Sequence, residues 1–127
     1  MDNDLAVFKA CADATRLRIL FLLTERELCV CELVAVLDMP QGKISRHLAI
    51  MKQAHLLTDR RDGIWMYYAL TTDASFGAMR HVRSYLAQEK DTHDQVYYDL
   101  IRLHTLADQG KICVPHPSSA LLTQIER

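Results

Sequence analysis

At 127 residues, half of them apolar, the chain is sized for one domain with a full core. Its apolar runs, such as Ile19–Leu23 and Leu33–Leu37, are too short to span a bilayer, and the acidic start Met1-Asp2-Asn3-Asp4 does not read as a secretory signal, so a cytoplasmic location is expected. The formal net charge of −1 excludes a generally basic surface, and four cysteines in such a chain read as thiols or metal ligands, not as a disulfide framework.

From Leu5 to Leu23 the apolar residues Leu5, Phe8, Ala12, Leu17, Ile19, Leu20 and Leu23 recur at helical spacing, and Asp13 followed by Thr15 caps a second helix with Arg16–Thr24 as its body. Glu25-Arg26-Glu27 reads as a loop. Cys29–Leu37 is expected to be a short helix facing Leu33, Val34 and Leu37 inward, stopped by Asp38-Met39-Pro40 because the residue before proline avoids the helical region. Another helix runs from Gln41 to Ala54. Between Leu57 and Leu70 the period changes, and Asp62-Gly63 between β-prone runs marks a hairpin. Helical pattern returns over Ser75–Leu106 with a break near Asp91-Thr92. Gly110, Pro115 and Pro117 mark a loose tail, so the expected division is a domain over 1–106 and a tail over 107–127.

Two short helices, a tight turn and a hairpin describe a mainly α winged helix-turn-helix, whose second helix is sized for the DNA major groove. Local charge agrees: from Lys43 to Arg61 the bases Lys43, Arg46, Lys52, Arg60 and Arg61 face one acid, Asp59. Gln41, Lys43, Ser45, Arg46 and His47 are the residue types that contact base edges and phosphates, and Arg60 and Arg61 sit where a wing would touch the neighbouring backbone. Such proteins usually bind as dimers. The terminal helices, with Phe8, Phe76, Met79, Val82 and Leu86, are expected to form the seam; packing inside one protomer is their ordinary alternative role.

Glu27-Leu28-Cys29-Val30-Cys31-Glu32-Leu33 carries the other signal. Two neighbouring thiolates suit a soft ion. On a regular helix, positions i and i+2 are roughly 200° apart, so Cys29 and Cys31 share an ion only at a frayed start or after the turn unwinds. A helix N-terminus is expected to lower their thiol pKa. The mechanism that follows is ion capture that distorts the helix leading into the DNA-reading one. Burial as small hydrophobes is the bland alternative.

Ala12-Asp13-Ala14-Thr15-Arg16-Leu17, the Glu-Leu-Cys-Val-Cys stretch, Lys43-Ile44-Ser45-Arg46-His47-Leu48 and the hairpin Asp59–Leu70 together resemble the ArsR/SmtB family of metal-responsive repressors, and most of all its arsenic-responsive branch. The resemblance covers about Phe8 to Leu70. It implies a homodimeric, cytoplasmic repressor without enzymatic activity, released from operator DNA by As(III) or Sb(III), with a Cd(II)/Pb(II)-responsive or thiol-redox-sensing repressor of the same fold as alternatives. The arsenic branch often places a third cysteine where this chain has Val34; Cys113 in the tail is the candidate replacement, Cys11 or a solvent ligand the others. Asp91, His93 and His104 imitate the family's zinc and nickel ligands but lie about twenty residues too far from the hairpin, and read as solvated. No Cys-x-x-Cys, phosphatase-like cysteine loop or Gly-rich phosphate cradle supports an enzyme.

Overall fold

The computed structural model describes residues 1–72 and 77–110. Six helices and three strands follow in the order α1 (Asp2–Cys11), α2 (Ala14–Leu23), β1 (Leu28–Cys29), α3 (Val30–Leu37), α4 (Gln41–Gln53), β2 (Leu57–Asp62), β3 (Trp65–Leu70), α5 (Gly77–Glu89) and α6 (Asp94–Asp108). The strands form one antiparallel sheet in the order β1-β3-β2. This is the mainly helical winged helix-turn-helix expected from the pattern.

Local chemistry explains the boundaries. Asp13 holds an extended backbone and its Oδ2 accepts the Arg16 N–H at 3.0 Å, satisfying one of the open donors at the start of α2. Asp38 ends α3 in the left-handed region at φ 54°, which a short polar side chain tolerates, and Pro40 then fixes the entry to α4. The hairpin closes over Gly63-Ile64, since Asp62 still pairs with Trp65. Gly63 at φ 67° supplies the positive dihedral at the first turn position. The turn therefore lies one residue later than Asp62-Gly63 suggested.

The core joins Ile19, Leu20 and Leu22 of α2, Leu33, Val36 and Leu37 of α3, and Ile44, Leu48 and Met51 of α4. Leu28, Leu56 and Leu57 close it beneath the sheet, while Met79, Val82 and Leu86 of α5 and Val96 and Leu103 of α6 complete it. Of the residues expected at a dimer seam, Met79, Val82 and Leu86 are thus buried inside the protomer, Phe8 projects outward at 51 % exposure, and Phe76 lies outside the described residues. An amphipathic helix in so small a domain uses its apolar stripe on its own core first.

α6 is a full packing partner of the helix-turn-helix. Arg18 of α2 donates through Nε and Nη2 to the two oxygens of Asp99 at 2.9 and 3.0 Å, and Arg102 donates from Nε to the Val36 carbonyl at 2.9 Å near the end of α3. It extends to Asp108, slightly past the expected domain limit at 106; residues 111–127, Cys113 included, lie outside the described residues.

Candidate functional site

α3 and α4 meet at the tight turn Asp38-Met39-Pro40, and the inward stripe Ile44, Leu48 and Met51 settles which side of α4 faces out. Gln41, Lys43, Ser45 and Arg46 are all exposed there. They form a polar face of amide, ammonium, hydroxyl and guanidinium groups at the N-terminal end of the helix, the chemistry that contacts phosphates and base edges.

His47 lies differently from the expectation. Its side chain is only 14 % exposed, and its Nδ1 stands 3.2 Å from Arg16 Nη1 and 4.0 Å from Asp13 Oδ2. Burial pushes its pKa below the usual histidine value; Asp13 pulls the other way, and the cations Arg16, Lys43 and Arg46 reinforce burial.

The wing is fastened to the reading helix by Lys52 Nζ, 2.7 Å from Asp59 Oδ2. Arg61 is exposed. Arg60 is engaged within the molecule: its Nε donates to both Glu27 carboxylate oxygens at 3.0 and 2.9 Å, and its guanidinium lies 4.7 Å from the centre of the Tyr67 ring. The same guanidinium holds the Glu27 carboxyl below the usual carboxylate range.

The cysteine pair corrects two expectations, and where thiols were expected Cys29 carries a thiol while Cys31 is disulfide-bonded. Cys29 is not in the helix. It ends β1, pairs with Tyr67, and serves as N-cap of α3 with an extended backbone at φ −88° and ψ 168°. That conformation swings its side chain away from the helical direction and brings the Cys29 and Cys31 sulfurs to 3.5 Å with the helix intact. No unwinding is needed for both to meet one ligand atom. Nor is the Cys29 thiol acidified by the helix terminus: burial pushes it up to about 11, against the opposing pull of the Glu32 N–H.

Glu32 completes the cap. Its Oε1 accepts the Cys29 N–H at 2.9 Å, while Arg26 stands 3.5 Å from its other oxygen. Cys29-x-x-Glu32 has capping-box spacing with cysteine in the serine position, a local sequence signal for this N-cap. Beside the sulfurs opens a cavity of about 300 Å³ lined by Cys29, Val30, Cys31, Gln41, Ile64, Trp65 and Met66. The first residue of the reading helix and the tip of the wing therefore border the same space as the thiols. Sequence spacing could not show this, because β1 pairs with β3 almost forty residues away.

Among the described residues no group of three or more His, Cys, Asp or Glu side chains converges on a potential ion site. Cys11 is half-buried and lines a separate groove with Phe8 and Tyr85. Asp91 and His93 are exposed, and His104 stands 3.6 Å from Glu25. No described helix is long and apolar enough to cross a membrane.

Comparison with known proteins agrees with the winged helix-turn-helix fold. Residues 13–59 match the family model described as "Bacterial regulatory protein, arsR family". The chain is 39 % identical to the arsenical resistance operon repressor of Escherichia coli over 84 % of its own length and 92 % of that protein's. It is 55 % identical to the arsenic resistance transcriptional regulator ArsR1 of Pseudomonas putida over 50 % of its length and 51 % of the relative's. Among solved structures, a homodimeric winged helix-turn-helix DNA-binding domain from Mycobacterium bovis superposes with a TM-score of 0.59 at 27 % identity, covering 72 % of this chain and 85 % of that one.

Proposed function

Because this chain belongs to the arsR family of bacterial regulatory proteins, DNA-binding transcriptional repressors, we propose that it represses an arsenic-resistance operon and leaves its operator when trivalent arsenic or antimony bridges its thiols. The observation that carries this reading is the 3.5 Å approach of the Cys29 and Cys31 sulfurs beside a cavity that Gln41 and Trp65 also line. Two soft donors converge, and they do so where an occupant touches both DNA-facing elements.

Trivalent arsenic prefers three thiolates, and the proposed third is Cys113, which lies outside the described residues, with Cys11 or a solvent ligand as the alternatives. Once a small-molecule dithiol has reduced the Cys31 disulfide, itself becoming a cyclic disulfide, the step balances without free protons: As(OH)₃ and three thiols give As(SR)₃ and three waters, each thiol proton leaving on a hydroxide. The ligand thus supplies its own base, which suits a thiol that burial keeps protonated. Occupation of the cavity displaces the wing tip from the start of α4, and a few kcal/mol of preference for the displaced form is enough to empty an operator.

Gln41, Lys43, Ser45 and Arg46 carry the DNA contacts from α4, and Arg61 adds a backbone contact from the wing. Arg60 reaches DNA only by giving up Glu27. Two copies meet across α1 and α5, where Leu5 is 48 % exposed and Phe8 and Tyr85, 51 and 40 % exposed, line a groove of about 410 Å³.

Mobility-shift titration tests the reading on a duplex selected by the protein from a random library. The panel is arsenite, antimonite, Cd(II), Pb(II) and peroxide under controlled reduction. Cys29→Ser, Cys31→Ser and Cys113→Ser should still bind the duplex and fail to release it with arsenite. Normal release by Cys29→Ser or Cys31→Ser overturns the site. Release of the wild type by Cd(II) or peroxide but not arsenite overturns the inducer.

A further inference from the structure

The corner where α1 meets α2 holds a polar cluster that neither the DNA face nor the thiol site uses. Arg16 Nε donates to the Ala10 carbonyl, in the last turn of α1, at 2.6 Å. Its Nη1 lies 3.2 Å from His47 Nδ1, on α4, and its backbone N–H is capped by Asp13. One guanidinium therefore joins α1, the start of α2 and the reading helix.

We infer that His47 is a positioning residue for DNA binding: through its Nδ1 contact with Arg16 it fixes the rotation of α4 against the α1–α2 corner. This rests on the DNA-binding role of α4 and is independent of which ion the thiols take.

Three observations carry it. A guanidinium can only donate, so Nδ1 offers its lone pair to Arg16 and the imidazole proton sits on Nε2. A side chain that is 14 % exposed, between exposed Arg46 and buried Leu48, sits at the edge of the inward stripe, where a polar tie stops the helix from rolling on its apolar face. Apolar packing does not do this alone, because an open groove of about 440 Å³ runs between α1 and the far half of α4, lined by Ala6, Lys9, Arg16, Ile50 and Gln53 over buried Ala10 and Ala54. The tie also connects α4 to the helix that carries the exposed Leu5 and Phe8. It sets the aim of the reading helix relative to that face.

The two ring nitrogens separate this role from a direct contact. Asparagine places an acceptor near the Nδ1 position, and glutamine places a polar atom near Nε2. The experiment measures affinity for a duplex selected by the wild type from a random library and, in parallel, for sonicated genomic DNA at low salt. His47→Ala should weaken selected-duplex binding about tenfold, the loss expected for a bond to a charged donor, and leave genomic-DNA binding within about twofold. His47→Asn should recover most of the loss, and His47→Gln should not. Arg16→Met should resemble His47→Ala, with the double variant no worse than either. Rescue by glutamine and not asparagine, an equal loss on both DNAs, or an unchanged selected-duplex affinity for His47→Ala would each overturn the assignment. Should His47→Ala fail to fold, the asparagine and glutamine pair still decides.

Discussion

Cys29 stands opposite Tyr67 across the β1–β3 ladder, and the ring of Tyr67 lies under Arg60, whose guanidinium grips Glu27 two residues before the cysteine. The sulfur-bearing segment is thus stitched to the wing by backbone pairing on one side and an ion pair on the other. Trp65, the only tryptophan of the chain, is half-buried on the same strand and lines the thiol cavity.

This arrangement makes Trp65 a built-in reporter. Saturating arsenite should shift or quench its emission in the wild type and leave it unchanged in Cys29→Ser. A fluorescence titration checks this, and an identical response in the two proteins would place the ligand elsewhere.

Proton balance separates the candidate inducers. Condensation of As(OH)₃ with thiols releases water alone, so the arsenite midpoint should stay nearly flat from pH 6 to 8. A divalent cation must expel a proton from each thiol it captures. Cys29, pushed up to about 11, remains protonated over that whole range, so its capture alone makes a divalent-cation midpoint improve by about tenfold per pH unit. Midpoints from the Trp65 titration at several pH values provide the measurement.

On the reading helix, Arg46→Ala should weaken selected-duplex binding by about 1–3 kcal/mol if the guanidinium reads a base edge. Lys43→Ala should instead lower the slope of log affinity against log salt by about 1, as loss of one phosphate contact requires. Mobility shifts across a salt series distinguish the two.

The Arg18–Asp99 pair predicts an asymmetry in stability. Asp99 is 4 % exposed and also accepts from Gln95 Nε2 at 3.0 Å, whereas the Arg18 side chain keeps 24 % of its surface in solvent. Arg18→Met strands a buried carboxylate and should cost about 2–4 kcal/mol. Asp99→Asn leaves an acceptor in place and a cation that reaches water, and should cost less. Urea unfolding of both variants checks the order.

Much of this architecture is legible in the sequence because its signals are local. Asp13 caps α2 through its own third neighbour, Gly63 takes the dihedral few other residues accept, and the apolar spacing of Ile44, Leu48 and Met51 sets the face of α4. The rest depends on long-range closure. Cys29 leaves the helix because β1 pairs with β3, almost forty residues away, and only that pairing turns two sulfurs on opposite sides of an ideal helix toward each other. Arg60, expected as a wing contact, meets Glu27 from another segment, and His47, expected among the base and phosphate contacts, meets Arg16. Basic residue types announce an affinity for anions, and the fold decides whether the anion belongs to DNA or to the protein itself.

Arg102, bonded to the Val36 carbonyl and at 3.3 Å to that of Ala35, holds the far end of α3 still. α3 spans eight residues, a rod about 12 Å long. With that end hinged, a push at the cysteine end cannot slide the rod and must tilt it, by roughly 5° for each ångström over that length. The fulcrum sits just before the turn into α4, so a displacement the size of one bond becomes a change of heading.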